Sequence, residues 1–416
     1  MSKLTKLINS PDLFVKDMVR KHAEKPLIAT FIEKTGYQVD ALPKPEKIVN
    51  TSVNEKFHAN FLEKHVALLH SGEGVTAGIT HLDLWIPFFI QANINFIVLV
   101  RNISLYNGLI DKYPKVNIVF CKRPVDIENL SKKLPHVKTV FYTSSTGNNI
   151  HLVRFEHMKH IFIGHGDSDK ASSANKALRL YDEIWTAGQA HIDRFKNSGF
   201  ETNHIQFKQV GRPSSYQVIK AADKTWTERS LRTLYLPTWE GFVEEANYSS
   251  IEHVMQMMRE VALLFDNSVA VKFHPLTGSR EKMFENIDAQ FVELKGKHDL
   301  DILNYSKDVS IDSILNLYNI FICDISAVVT ECLAANGPIF VYIPKNKDLN
   351  IAQSEMQYED YCYTFSNIEE LSKKLKQVLS GDDYLKDNRK KALDYLLNYD
   401  ATLGQKFIAE LRKLNK

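Results

Sequence analysis

Short apolar runs recur along this chain in two separate sets, and they narrow its fold more than any other feature. The first set is Val66–Leu69, Phe96–Val100, Asn117–Phe120, Val140–Tyr142, His160–Ile163 and Glu183–Trp185. The second is Thr233–Leu236, Val269–Lys272, Asp301–Leu303, Ile320–Cys323 and Ile339–Tyr342. A strand with one wet face alternates polar and apolar residues, whereas mostly continuous apolar runs belong to strands covered on both faces. Stretches with helical spacing lie between the runs, among them Val125 to Leu134, Gln189 to Asn197, Ile251 to Phe265 and Ile311 to Tyr318. This alternation predicts an α/β protein with two doubly wound sheets, that is, two Rossmann-like domains facing a central cleft.

At 416 residues the chain exceeds one ordinary hydrophobic core. Val210-Gly211-Arg212-Pro213 closes the first set, and the polar, lysine-rich stretch Lys220 to Arg232 reads as a linker. The expected organisation is a basic helical N-terminal segment (1–45), a first Rossmann-like domain (46–222), a second (230–385), and a C-terminal helix (386–416) crossing the junction. The formal charge of +2 gives no pull toward nucleic acid. The four cysteines lack CxxC pairing, which argues against a disulfide framework or structural zinc and for a reducing cytoplasm. No run approaches the roughly 20 apolar residues that cross a bilayer. Met1 to Ala23 instead mixes apolar residues with lysines and an arginine, the pattern either of a segment making peripheral contact with an anionic membrane face or of an exposed helix packed on its own domain.

Two histidine segments carry the functional reading. Gly164-His165-Gly166-Asp167-Ser168-Asp169-Lys170 and Lys272-Phe273-His274-Pro275 each follow a buried run. Open α/β sheets bind ligands outside the carboxyl ends of their strands, so each imidazole stands where a ligand would. Gly164 and Gly166 permit a tight turn and close approach, and Asp167 or Asp169 is placed to orient His165 as a general base. Pro275 forces His274 into extended backbone at a sheet edge, within reach of a phosphate, with Lys272 on the same face.

Two further segments suit a nucleotide donor. In Cys323-Asp324-Ile325-Ser326-Ala327-Val328-Val329-Thr330-Glu331 a strand passes into a helix expected to be capped by Asp324 or Ser326, whose first amides suit phosphates and whose Glu331 suits a ribose. In Leu236-Pro237-Thr238-Trp239-Glu240-Gly241, Thr238 and the loop amides are placed for a pyrophosphate. A capped helix and a packed tryptophan would read the same way, so each segment alone is a weak signal.

Together these motifs resemble, in order and spacing, the CDP-glycerol glycerophosphotransferase family of teichoic-acid and capsule polymer transferases. The matching residues are His165-Gly166, Gly211-Arg212-Pro213, Pro237-Thr238-Trp239, Lys272 to Pro275, and Asp324, Ser326 and Glu331, spread over roughly Val140 to Tyr399. Three positions depart from the pattern. Asp167-Ser168 follows His-Gly in place of Thr-Pro, Ala327 replaces a serine, and Glu240 stands where a basic residue is usual.

The resemblance implies a GT-B-like fold and transfer of glycerol- or ribitol-phosphate from a CDP-linked donor to a hydroxyl of a growing polymer. It implies His165 and His274 as catalytic residues, with Thr238, Lys272, Asp324, Ser326, Thr330 and Glu331 binding the donor. Gly166, Asp167, Asp169 and Arg212 would shape the acceptor side. Protein donors and helix N-termini are expected to meet the diphosphate in place of a metal, so metal-independent transfer without a cofactor is expected, in a cytoplasmic enzyme at the inner membrane face. Two competing readings are an inverting glycosyltransferase using a nucleotide sugar, with Glu73 of Ser71-Gly72-Glu73-Gly74 as alternative base, and a non-enzymatic nucleotide-binding scaffold.

Overall fold

The apolar runs form strands, all of them parallel, in two separate sheets. The computed structural model describes residues 65–416, except 223–225, 227–230, 242–243, 266–268, 299–301, 308, 346, 348, 400–401 and 416. The N-terminal segment 1–45, with its basic stretch Met1 to Ala23, lies outside the described residues.

The first lobe holds β1 (Ala67–Ser71), β2 (Phe96–Val100), β3 (Asn117–Phe120), β4 (Thr139–Tyr142), β5 (Lys159–Phe162), β6 (Glu183–Thr186) and β7 (Gln206–Gln209), in the order β3-β2-β1-β4-β5-β6-β7. The second lobe holds β8 (Thr233–Leu236), β9 (Val269–Lys272), β10 (Ile302–Tyr305), β11 (Ile320–Asp324), β12 (Ile339–Tyr342) and β13 (Tyr363–Phe365), in the order β10-β9-β8-β11-β12-β13. Strand order reverses between β1 and β4 in one lobe and between β8 and β11 in the other. A crevice opens at such a switch point.

The second sheet shows why its strands read as continuous apolar runs. Successive side chains on a strand point to opposite faces. Tyr235, Val271, Ile322 and Phe340 pack under α4 (Val254–Leu264) with Met257, Met258 and Val261. Their neighbours Leu234, Leu236, Ala270, Phe321 and Val341 pack on the opposite face with Val329, Cys332 and Leu333 of α5 (Val328–Leu333). Both faces are dry, so neither admits a polar alternate. In the first lobe Leu68, Ile97, Val119 and Val140 form an equivalent core with Phe195 of α3 (Gln189–Asn197).

Two strands carry no apolar run. Gln206–Gln209 is an edge strand with exposed or half-buried side chains, and Tyr363–Phe365 is an edge strand of only three residues. The stretch Ile311 to Tyr318, which has helical spacing, forms two short 3-10 turns.

The chain returns to the first lobe at its end. Helix α6 (Lys386–Leu397) packs against both α3 and α5, and α7 (Leu403–Arg412) packs on α2 (Ile86–Ala92). Phe407 of α7 sets its ring 4.8 Å from Trp85 and 5.6 Å from Trp185, centroid to centroid. No helix among the described residues is long and apolar enough to cross a membrane.

His70 in β1 gives a stability prediction. It is 1% exposed, and its Nδ1–H donates to the Leu99 carbonyl at 3.1 Å. Burial pushes its pKa down to about 3, helped by the neighbouring Arg101. Between pH 6.5 and 3 the unfolded chain binds this proton and the folded chain does not, so stability falls as pH drops through that window. The loss from His70 reaches about 5 kcal/mol. Urea unfolding midpoints measured from pH 7 to 4 are expected to fall steeply in the wild type. In His70→Gln, which keeps a donor for Leu99, they fall less; equal slopes would contradict the assignment.

Candidate active site

The loop after β5 carries His165 into the gap between the lobes. Gly164 turns the chain with φ of 62°, a left-handed conformation that favours glycine. Its carbonyl accepts from the Trp85 indole at 2.7 Å. His165 is exposed to the gap, and its Nδ1 lies 3.2 Å from the Thr143 carbonyl. A carbonyl only accepts, so Nδ1 carries the proton and the neutral ring leaves Nε2 as a free acceptor. Protein on both sides pushes the pKa of His165 well below its ordinary value, and the nearby His81, Arg212 and His274 lower it further. Openness to solvent moderates this lowering without changing its direction. At neutral pH the imidazole is unprotonated and able to take a proton.

The loop after β9 presents His274 from the opposite lobe. Here the backbone N–H of Leu276 donates to Nδ1 at 3.1 Å, so Nε2 holds the proton. The two histidines are thus fixed in opposite tautomers, one offering a lone pair and the other an N–H. Burial lowers the pKa of His274 to about 3, with Lys170, Lys272, His81 and Lys307 adding to the effect. Across the gap His274 disfavours a proton on His165, and His81 disfavours one on His274. Three imidazoles therefore share one gap.

Arg212, in the loop after β7, is buried there. Its Nη2 donates to the His165 carbonyl and lies 3.4 Å from Glu331 Oε1 in the second lobe. Burial holds the Glu331 carboxyl above its usual range, Arg212 and Lys272 opposing and Asp312 adding. Lys170, at the end of the His-Gly loop, reaches across the gap and donates from Nζ to Thr238 Oγ1 at 3.0 Å. Burial lowers its pKa to about 8, against the pull of Asp324. Lys272 is buried at the end of β9, its Nζ 3.3 Å from the Lys307 carbonyl. Ser326 is half-buried at the end of the β11 loop, its hydroxyl donating to the Asp324 carbonyl at 3.3 Å.

Several carboxylates and hydroxyls prove to be structural. Asp167 and Asp169 do not orient His165. Both turn inward and pair with Arg194 of α3, which is 1% exposed. They anchor the loop that carries the imidazole. Asp324 is 0% exposed, and its oxygens are spent on the Thr238 amide at 2.8 Å and on the amide and hydroxyl of Ser250. It ties the β8 and β11 loops together and positions Thr238 instead of meeting a ligand. Burial raises its pKa to about 6, which those hydrogen bonds oppose. Thr330 donates to the Asp167 carbonyl at 3.2 Å and joins the lobes. The cap expected from Asp324 or Ser326 does not form; Ala327 precedes α5 with no side-chain cap.

Two departures from the family pattern gain physical reasons. A Cβ on Gly166 would lie 2.7 Å from the Cβ of Ala327, so the lobes meet here too closely for larger side chains. Glu240 is 0% exposed and accepts from the Gly278 amide at 2.7 Å, bracing the loop that follows His274.

His81 was not legible as a site residue. It lies on α1 (Val75–Asp83), with its ring stacked on His165 at 3.6 Å between centroids and 6° between planes. Its Nδ1 is 2.6 Å from Glu73 Oε2. No motif surrounds it, and only the β1–β4 switch point brings α1 to the β5 loop. Among the described residues no group of three or more His, Cys, Asp or Glu is arranged to hold a metal ion.

No protein-family model matches the sequence, and no curated protein matches it. Solved structures do share its architecture. A glycosyltransferase from Rickettsia africae aligns with a TM-score of 0.51 at 15% identity, over 85% of this chain and 99% of its own. The wall teichoic acid polymerase TagF aligns with a TM-score of 0.55 at 13% identity, over 88% of this chain and 95% of its own. HepE of Anabaena, solved with UDP, aligns with a TM-score of 0.52 at 10% identity, over 84% and 100%. The chain has the two-lobed GT-B type fold, built from parallel sheets of seven and six strands.

Proposed function

We propose that this protein is a transferase that moves an alditol phosphate from a CDP-linked donor to a hydroxyl of a growing polymer. The observation that carries the reading is the pair of neutral imidazoles of opposite tautomer, one from each lobe, opening on one gap. His165 Nε2 takes the proton of the acceptor hydroxyl. The acceptor oxygen then attacks the donor's β-phosphorus, the bond from that phosphorus to the bridging oxygen breaks, and CMP departs. His274 donates its Nε2–H to a phosphate oxygen as a neutral hydrogen-bond donor, a role its low pKa favours over that of an imidazolium acid. Lys170 and Lys272 neutralise the diphosphate, Thr238 and Ser326 offer hydroxyls, and Glu331 turns from Arg212 to the ribose. With those cations in place the transfer needs no metal, and its rate should be insensitive to EDTA. TagF, which shares the fold, has been solved with CDPG, and that supports a CDP-linked donor.

A second reading is an inverting glycosyltransferase, favoured by the same fold in HepE, which has been solved with UDP-glucose. The released nucleotide separates the two. Incubating the protein with CDP-glycerol, CDP-ribitol, CMP-sugars and UDP-sugars should give CMP from a CDP-alditol. Release of UDP from a UDP-sugar would establish glycosyl transfer instead. Absence of any release would leave a nucleotide-binding scaffold.

Lys170 supplies a pH test of donor binding. A bound diphosphate favours its charged form, so donor affinity should weaken as pH rises above about 8, where free Lys170 loses its proton. Lys170→Met should weaken donor binding about tenfold at pH 7 and flatten this dependence. Titration calorimetry with CDP-glycerol at pH 7 and 9 reads both, and an unchanged profile in the variant would exclude Lys170 from the donor site.

A further inference from the structure

We propose that His81, held by Glu73, is the positioning residue for His165. Its ring is the platform that keeps the base in one tautomer and free of a proton. The inference rests on the reading of His165 as base and deepens it.

Three segments build this platform independently. Glu73 comes from the loop after β1, His81 from α1, and His165 from the loop after β5. The Glu73 carboxylate only accepts, so His81 Nδ1–H donates to it over 2.6 Å, a short charge-assisted bond that fixes the plane of the His81 ring. His165 lies parallel to that plane within 6° and 3.6 Å away, which is contact distance. Rotation of the His165 ring about its χ2 bond would lift it off His81 and break the Nδ1 bond to Thr143. The platform and the carbonyl together therefore leave one orientation, with Nε2 unprotonated.

Charge adds a second effect. Three neighbours from separate elements disfavour a proton on His165: His81 from α1, Arg212 from the β7 loop and His274 from the second lobe. A simple packing residue would fill the same space, but neither of these effects needs only bulk. A carboxylate buried to 15% exposure beside a histidine at 17% is more than filling requires.

The experiment is nitrogen NMR of the full chain with labelled histidines, titrated with pH, the His165 signals being identified by their loss in His165→Gln. Turnover and donor affinity are measured beside it. His81→Phe keeps a flat ring but removes the imidazole that disfavours a proton on His165. It should raise the His165 midpoint by about half to one pH unit, shift the acidic limb of turnover the same way, and keep plateau turnover within about threefold. His81→Ala removes the platform. It should give mixed Nδ1 and Nε2 protonation at His165 and about tenfold lower turnover, with donor affinity unchanged. An unmoved His165 midpoint in His81→Phe, or a single tautomer with wild-type turnover in His81→Ala, would overturn the inference. The base reading fails separately, if His165→Ala retains its turnover; the NMR signals do not depend on that result.

Discussion

His165→Ala is expected to lower turnover by about 10²–10⁴-fold, the usual contribution of a positioned general base, while donor affinity stays within about twofold. The separation of these effects is the informative part. His165 belongs to the first lobe, whereas Thr238, Lys272 and Ser326 belong to the second, so truncating the imidazole leaves the donor's principal partners in place. The Arg212 bond goes to the main-chain carbonyl of residue 165 and survives the substitution. Single-turnover kinetics with CDP-glycerol, alongside calorimetric binding, would check both numbers. Wild-type turnover in the variant would remove His165 from the chemistry, and the pair of opposed tautomers would then have no catalytic meaning.

Arg194→Met should cost about 3–5 kcal/mol of stability, because it leaves two buried carboxylates without their cation. Asp167 and Asp169 are 4% and 2% exposed, and Arg194 joins both. Methionine keeps an apolar stem like that of arginine and removes the guanidinium, so most of the loss is electrostatic. Adding Asp167→Asn and Asp169→Asn to Arg194→Met should recover most of the loss, since neutral amides need no cation. Urea unfolding midpoints read both changes. A single variant as stable as the wild type would contradict the assignment, and so would a triple variant no better than the single. The same cluster anchors the loop of His165, so turnover in Arg194→Met should fall even where the protein is fully folded.

The strands and the two histidine loops were legible because their signals are local. A strand covered on both faces must be apolar throughout, and the residues at its carboxyl end follow directly. Edge strands escaped for the converse reason: Gln206–Gln209 keeps side chains in water and needs no apolar run. Carboxylates were the hardest to place. Asp167, Asp169 and Asp324 sit in motifs that suggest ligands, yet each meets a protein partner distant in sequence, Arg194 for the first two and Ser250 for the third. A carboxylate looks alike in sequence whether it faces solvent or a buried guanidinium. The reach of Lys170 to Thr238, 68 positions onward, and the stacking of His81 on His165 are likewise products of tertiary folding.

The return of the C-terminal helices gives the two lobes a second tether beside the linker. Helix α6 holds α3 of one lobe and α5 of the other, and Phe407 of α7 rests against the tryptophan whose indole holds the Gly164 carbonyl. The tail thus buttresses the turn that carries His165.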